Sequence, residues 1–274
     1  MKISILGETR RKLIQVICAV LYNCNFKGFA NGTIYQGPVK GVCVPGLNCY
    51  SCPGAVGACP LGSFQTALVS SKYKFPYYML GVMLLLGVVF GRVICGFLCP
   101  FGLVQELLYK LPTKKAGKSQ WTRRLSLLKY VILVLFVIVI PLTYAVPGFC
   151  KYICPVGTLE GGLFFVTVDS QIRALAGKLF LWKTGVLVVI LISSVFLFRS
   201  FCRFLCPLGA FYSLFHKTAI MNIQVDQEKC TGCNICVTTC KLDVKHVSDR
   251  ECVQCGACIG KCPTCALGRR VSSH

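Results

Sequence analysis

Histidine is scarce in this chain: His216, His246 and His274 are the only three. None falls in an apolar stretch, so a b-type haem held by two intramembrane imidazoles is excluded. No C-x-x-C-H occurs, which excludes covalent c-type haem attachment. A phosphate-cradling glycine loop and a dinucleotide fingerprint are also missing. Acidic residues are few, with 9 Asp and Glu against 30 Lys and Arg and a formal charge of +21. In a soluble chain that balance suggests nucleic acid. Here the basic residues lie in blocks beside apolar runs, as membrane topology requires, and no nucleic-acid partner is expected.

Apolar residues and cysteine are abundant instead. A hydrophobic content of 55% exceeds that of an ordinary soluble domain and makes membrane lipid an expected partner. Three runs are long enough, or nearly so, to span a bilayer: Phe75–Gly91, Tyr130–Cys150 and Leu179–Phe198. Pro141 is expected to bend the second of these, and Lys183 to snorkel to the interface from the third. A shorter run follows Arg10, Arg11 and Lys12 with no small-residue cleavage site after it, and reads as an uncleaved first helix. The linker carrying Lys110, Lys114, Lys115, Lys118, Arg123, Arg124 and Lys129 is cytoplasmic by the positive-inside rule. Helices three and four leave and return, which puts the C-terminal segment on the same side.

That segment is the most specific part of the sequence. From Cys230 to Cys262 it reads CTGCNICVTTCKLDVKHVSDRECVQCGACIGKC, followed by Pro263. Two successive C-x2-C-x2-C-x3-C runs are the spacing by which bacterial-type ferredoxins hold paired [4Fe–4S] clusters, the fourth cysteine of each run crossing to the other cluster. One cluster is therefore expected on Cys230, Cys233, Cys236 and Cys262, the other on Cys240, Cys252, Cys255 and Cys258. Gly232 and Gly256 let the backbone fold tightly round each cluster and turn N–H groups toward sulfur. Lys241 stands where a proline usually follows the fourth cysteine, which alters the turn and not the ligand. Four thiolates also suit zinc, but zinc modules pair two C-x2-C hooks across a spacer.

The remaining cysteines carry a repeat. Cys-Pro-x-Gly opens a short apolar helix four times, at Cys59, Cys99, Cys154 and Cys206, and a second cysteine stands four residues upstream in three copies, at Cys95, Cys150 and Cys202. The first copy differs, with Cys49 and Cys52 upstream. A residue before proline is pushed out of the helical region, and the proline then suits the first turn of the next helix. Crossing parity gathers Cys95, Cys99, Cys202 and Cys206 on the inner side. It gathers Cys49, Cys52, Cys59, Cys150 and Cys154 on the outer side, like inverted repeats. Each set has thiols enough for one further cluster; free thiols, a structural zinc or an outer disulfide are the alternatives. The sixth residue after each repeat cysteine is polar: Gln65, Gln105, Glu160 and Tyr212. These are expected on the wet face of interfacial helices, with Glu160 or Glu106 the candidates to take protons from a quinol. Cys18, Cys24, Cys43 and Cys265 read as buried small hydrophobes.

The expected fold is mainly α: a polytopic membrane bundle of about four helices over residues 1–220, with inverted repeats and short interfacial helices. A small α+β ferredoxin-like domain follows over 221–268, then a tail, 269–274. The motifs NCYSCPGAVGACPLGSFQ (Asn48–Gln65), GRVICGFLCPFG (Gly91–Gly102), YICPVGTLE (Tyr152–Glu160) and SFCRFLCPLGA (Ser200–Ala210) resemble the NapH/NosR-type membrane polyferredoxins. The resemblance runs over nearly the whole chain. It implies a bacterial inner-membrane [4Fe–4S] protein passing electrons between a quinol or cytoplasmic donor and an extracytoplasmic redox partner. It also implies that the pairs Cys95/Cys99, Cys150/Cys154 and Cys202/Cys206 are functional. The large flavin-binding domain of NosR-like members is missing, so any flavin would come from a partner, a flavoprotein or an exported reductase. Such a protein is an electron-transfer subunit, possible as a quinol dehydrogenase component. The rival readings are a maturation factor for an exported metalloenzyme and a membrane-tethered redox sensor.

Overall fold

The longest apolar runs become the longest helices. The computed structural model describes residues 8–70 and 76–271. Two of its helices are long and apolar enough to cross a bilayer, Gln120–Tyr144 and Lys178–Phe196. Only 28% and 17% of their most apolar windows are buried, so neither is the core helix of a soluble domain. Leu135, Ile138 and Leu142 on the first, with Val188, Val189 and Ile192 on the second, face outward as an apolar belt that lipid would cover.

The boundaries differ from those expected. Gln120–Tyr144 starts ten residues before Tyr130 because Ser119 caps it, its hydroxyl accepting the Trp121 N–H at 3.3 Å. Arg123, Arg124 and Lys129 therefore ride on the helix and not on a loop. Pro141 lacks a donor, and the backbone widens into a π-helical turn over Leu133–Val139 just ahead of it. The helix stops at Ala145, in the left-handed region at φ 51°, so Cys150 falls on a separate short helix, Gly148–Tyr152. Tyr77–Phe90 has 14 residues, about 21 Å long, and is shorter than a bilayer core of about 30 Å. Gly91 ends it at φ 49°, and Phe75, the expected start, lies outside the described residues. The first helix, Glu8–Tyr22, has 15 residues, and its Arg11 and Gln15 are buried against the rest of the molecule. Four membrane crossings thus reduce to two helices of spanning length among the described residues.

The repeat folds as its chemistry requires. Cys99, Cys154 and Cys206 have extended backbones, and each following proline begins a helix, at Pro100–Leu108, Pro155–Val168 and Pro207–Leu214. The first copy likewise starts Pro60–Ser70. The upstream cysteines sit on the short helices Val93–Phe97, Gly148–Tyr152 and Ser200–Phe204. In all three copies the second cysteine's N–H donates to the carbonyl five residues back: Cys99 to Ile94 at 3.1 Å, Cys154 to Phe149 at 2.9 Å and Cys206 to Phe201 at 2.9 Å. Repeat helices from every copy feed a single apolar core containing Leu61, Phe101, Phe149, Val156, Phe201 and Leu208.

The C-terminal unit closes on a two-stranded antiparallel sheet, β1 (Met221–Val225) with β2 (Leu267–Val271), Met221 opposite Val271. The second strand carries this unit past residue 268, so 269–271 belong to it and not to a tail. Leu242 and Val253 enter the same core as the repeat helices. Around them, tail acids meet cations of the helical part. Glu251 accepts from Lys129 at 2.8 and 2.7 Å, Asp249 from Arg123 at 3.1 Å, and Asp243 pairs with Arg203. The basic linker thus holds this chain's own tail, where Lys118 also donates to the Val237 carbonyl at 2.6 Å.

Candidate metal centres

The structure brings twelve of the thiols into three groups. Cys49, Cys59, Cys150 and Cys154 line one cavity of about 130 Å³, together with Lys183. Lys183, on Lys178–Phe196, is thus part of the cavity wall. Burial, then the neighbouring Cys154, push the Cys49 thiol up to about 12. Cys52 is buried but lies outside this cavity and is the supernumerary thiol of the outer set.

Cys95, Cys99, Cys202 and Cys206 form the second group, all buried in the core. Burial, followed by Cys99, pushes Cys202 up to about 12, and Cys206 is raised by burial and by Cys202, Cys95 and Cys99. Burial and the repulsion between neighbouring thiolates thus favour the protonated thiol at Cys99, Cys202 and Cys206, and coordination by iron would release those protons. Gly209 donates its N–H to Cys206 Sγ at 3.2 Å.

The third group is in the tail. Cys240, Cys252, Cys255 and Cys258 line a cavity of about 350 Å³, and burial plus their mutual repulsion push Cys252 and Cys258 up to about 12. Of the other four tail cysteines, Cys230 and Cys233 are exposed, and Cys236 and Cys262 are partly buried. Gly232 and Gly256 take φ of 70° and 80°, the left-handed turns expected of them. No three His, Cys, Asp or Glu side chains among the described residues converge on a point that would hold a single ion. Tetrahedral zinc at about 2.3 Å would draw its sulfurs to within about 3.8 Å. Thiols around a cavity fit a four-iron cube instead.

The groups adjoin one another. Gly96, between Cys95 and Cys99, has its Cα against the tail: an added Cβ would overlap the Val253 carbonyl and lie 3.6 Å from Cys255 N. Beside this contact Glu106 accepts from Arg11 at 2.6 and 3.0 Å and from Arg199 at 2.9 Å, all three buried. Glu106 is thus a structural anion between two guanidiniums and unavailable as a proton acceptor. Burial alone would raise its carboxyl, but Arg199 and Arg11 outweigh that and hold it below the usual range. On the other flank, Phe149 and Phe201, each one residue before a ligand candidate, stack with centroids 6.4 Å apart. Buried Tyr212 faces Cys95, Cys99 and Cys206 as well as Cys59. The inner and outer groups therefore share one core, with Phe149, Phe201 and Tyr212 packed among them.

Three of the four sixth positions are not on a wet face, and Glu160 is partly buried. Gln65, Gln105 and Tyr212 have no exposure at all. Gln105 accepts the Phe201 N–H at 3.0 Å and donates to Cys202 Sγ at 3.0 Å; Gln65 accepts the Phe149 N–H at 3.0 Å and donates to Cys150 Sγ at 3.5 Å. Glu160 accepts the Cys49 N–H at 2.8 Å, and the Tyr212 hydroxyl donates to the Pro45 carbonyl at 3.1 Å. Equal spacing in each repeat was the available signal, but hydropathy alone cannot tell a buried amide from a wetted one. Among the cysteines without an expected role, Cys24 and Cys265 are exposed and Cys18 and Cys43 partly buried.

Sequence comparison bears on what such a site holds. A 4Fe-4S binding domain family matches residues 75–119, 128–168 and 179–222, covering the three repeat pairs, and a second 4Fe-4S binding domain family matches 223–244. An uncharacterized protein of Methanocaldococcus jannaschii is 32% identical over 68% of this chain and 75% of its own length. The ferredoxin-type protein NapH of Haemophilus influenzae is 26% identical over 66% of the chain and 63% of its own length. The regulatory protein NosR of Pseudomonas aeruginosa is 28% identical over 62% of the chain. The chain belongs to the NapH/NosR-type 4Fe-4S polyferredoxins. It spans only 23% of NosR. No solved structure gives a significant match. As a polyferredoxin of this type the chain carries [4Fe–4S] clusters, including in its C-terminal region, and is an electron-transport protein. The first repeat, Cys49 to Cys59, lies outside the matched stretches.

Proposed function

We propose that this polyferredoxin is a membrane-integral relay of four [4Fe–4S] clusters. In this reading Cys230, Cys233, Cys236 and Cys262 hold the first, and Cys240, Cys252, Cys255 and Cys258 the second. Cys95, Cys99, Cys202 and Cys206 hold the third, and Cys49, Cys59, Cys150 and Cys154 the fourth. The clusters supply one-electron transfer; the chain supplies placement, dryness and hydrogen bonds to sulfur. The observation that carries the reading is the Gly96–Cys255 approach, which brings a tail loop against the inner pair just where a side chain would separate them. The Phe149–Phe201 stack continues the line to the outer cavity.

The tail and Lys118 lie at the same end of Gln120–Tyr144, which supports a cytoplasmic ferredoxin unit in a bacterial inner membrane. Electrons then pass between a quinol or a cytoplasmic donor at the exposed first cluster and an extracytoplasmic redox partner beyond the fourth. Residues 1–220 are the membrane unit and 221–271 the ferredoxin unit. Iron and sulfide counting on anaerobically purified protein tests the reading: about sixteen irons per chain are expected, and about eight would leave only the tail clusters.

A further inference from the structure

Two of the four repeats place a glutamine six residues after the cysteine, and both glutamines do the same thing. Each reaches into the opposing repeat, Gln105 into the helix Ser200–Phe204 and Gln65 into Gly148–Tyr152. The N–H groups they meet, Phe201 and Phe149, lie in the first turn of those helices and have no acceptor within them. The glutamine carbonyl takes that role at 3.0 Å in both cases.

This fixes the amide. Turning it over would set its NH2 against a backbone N–H, so Nε2 must face the other way, and there it meets sulfur: Cys202 for Gln105 and Cys150 for Gln65. Both hydrogens of Gln105 are engaged, one on Cys202 Sγ at 3.0 Å and one on the Phe101 carbonyl at 3.3 Å. Neither glutamine has any exposure, and Cys202 is buried as well, so no water competes for that sulfur, whereas Cys150 is partly buried. Glu160 holds the equivalent place in the third repeat but only accepts, from Cys49 N–H, and offers sulfur nothing.

We propose that Gln65 and Gln105 are a matched pair of tuning residues, each donating one amide N–H to a ligand sulfur of one membrane cluster and so holding that cluster's reduction potential up. The proposal rests on the relay reading above. A cluster gains negative charge when reduced, and an N–H···S bond favours the more negative state. The shorter contact at Cys202 gives the inner cluster the larger effect.

The test is a potentiometric titration, followed by electron paramagnetic resonance, of the intact protein and of Gln105→Met and Gln105→Leu, which keep bulk but donate nothing. One membrane-cluster signal should shift to lower potential by about tenfold in its reduction equilibrium, or about 59 mV for one electron, with iron content and the other three signals unmoved. Gln65→Met should move the other membrane signal by less. Unmoved potentials at full iron content, or an equal shift of all four signals, would overturn the proposal. Loss of iron in one glutamine's variants leaves the other glutamine to decide the matter. The relay reading fails separately: about eight irons in the unmodified protein removes both membrane signals before any substitution is made.

Discussion

Glu251 sits 2% exposed between Lys129, with no exposure, and Arg92, 3.8 Å away. Taking three charges out of water is costly, and they persist because each carboxylate oxygen is within 2.8 Å of the Lys129 ammonium. Glu251→Ala would leave two buried cations unpaired, an expected loss of roughly 3–5 kcal/mol. Limited proteolysis should then nick the C-terminal unit at protease concentrations the unmodified protein resists. At this scale the presence of [4Fe–4S] clusters in the tail was legible, because a crossover ferredoxin spacing has few other uses. The partners of Arg92, Arg203 and Glu106 were not legible, since nothing local links residues separated by forty positions or more.

Helices behaved as their caps and prolines direct, and less as a hydropathy window does. Ser119 starts Gln120–Tyr144 well ahead of the apolar run, and Ala145 stops it short of Cys150. Val189 lies mid-way along Lys178–Phe196 and is 66% exposed, on the face assigned to lipid. An arginine there would cost about 2.5–3.5 kcal/mol in a bilayer and almost nothing in water. Val189→Arg should reduce the protein recovered in the membrane fraction, with Val189→Leu as the neutral control. Recovery unchanged by the arginine would remove this helix from the bilayer.

For the molecule as a whole, the docking of tail on membrane unit is electrostatic at its rim and apolar at its centre. Asp249 is buried, which would raise its carboxyl, but the Lys245 N–H and the Arg123 guanidinium outweigh that and hold it below the usual aspartate range. A folded value below the unfolded one stabilises docking at every pH above the ordinary aspartate value, about 3.9, and the contribution disappears as pH falls through the depressed value. Tail protection from protease should therefore stay level from about pH 8 to 5 and weaken on further acidification. Asp249→Asn should start lower and lose that part of the pH dependence.

The sequence by itself determined the number and spacing of the thiols, their pairing in repeats, and the extended cysteine before each helix-starting proline. Those follow from rules acting over a few residues. Only the tertiary structure decided that Cys52 stands aside from the outer cavity, that the two membrane groups share one core with Phe149 and Phe201, and that Gln65 and Gln105 turn inward to sulfur. Those arrangements depend on which helix packs against which, and an amide's worth changes from wet surface to buried donor only when the opposing repeat arrives.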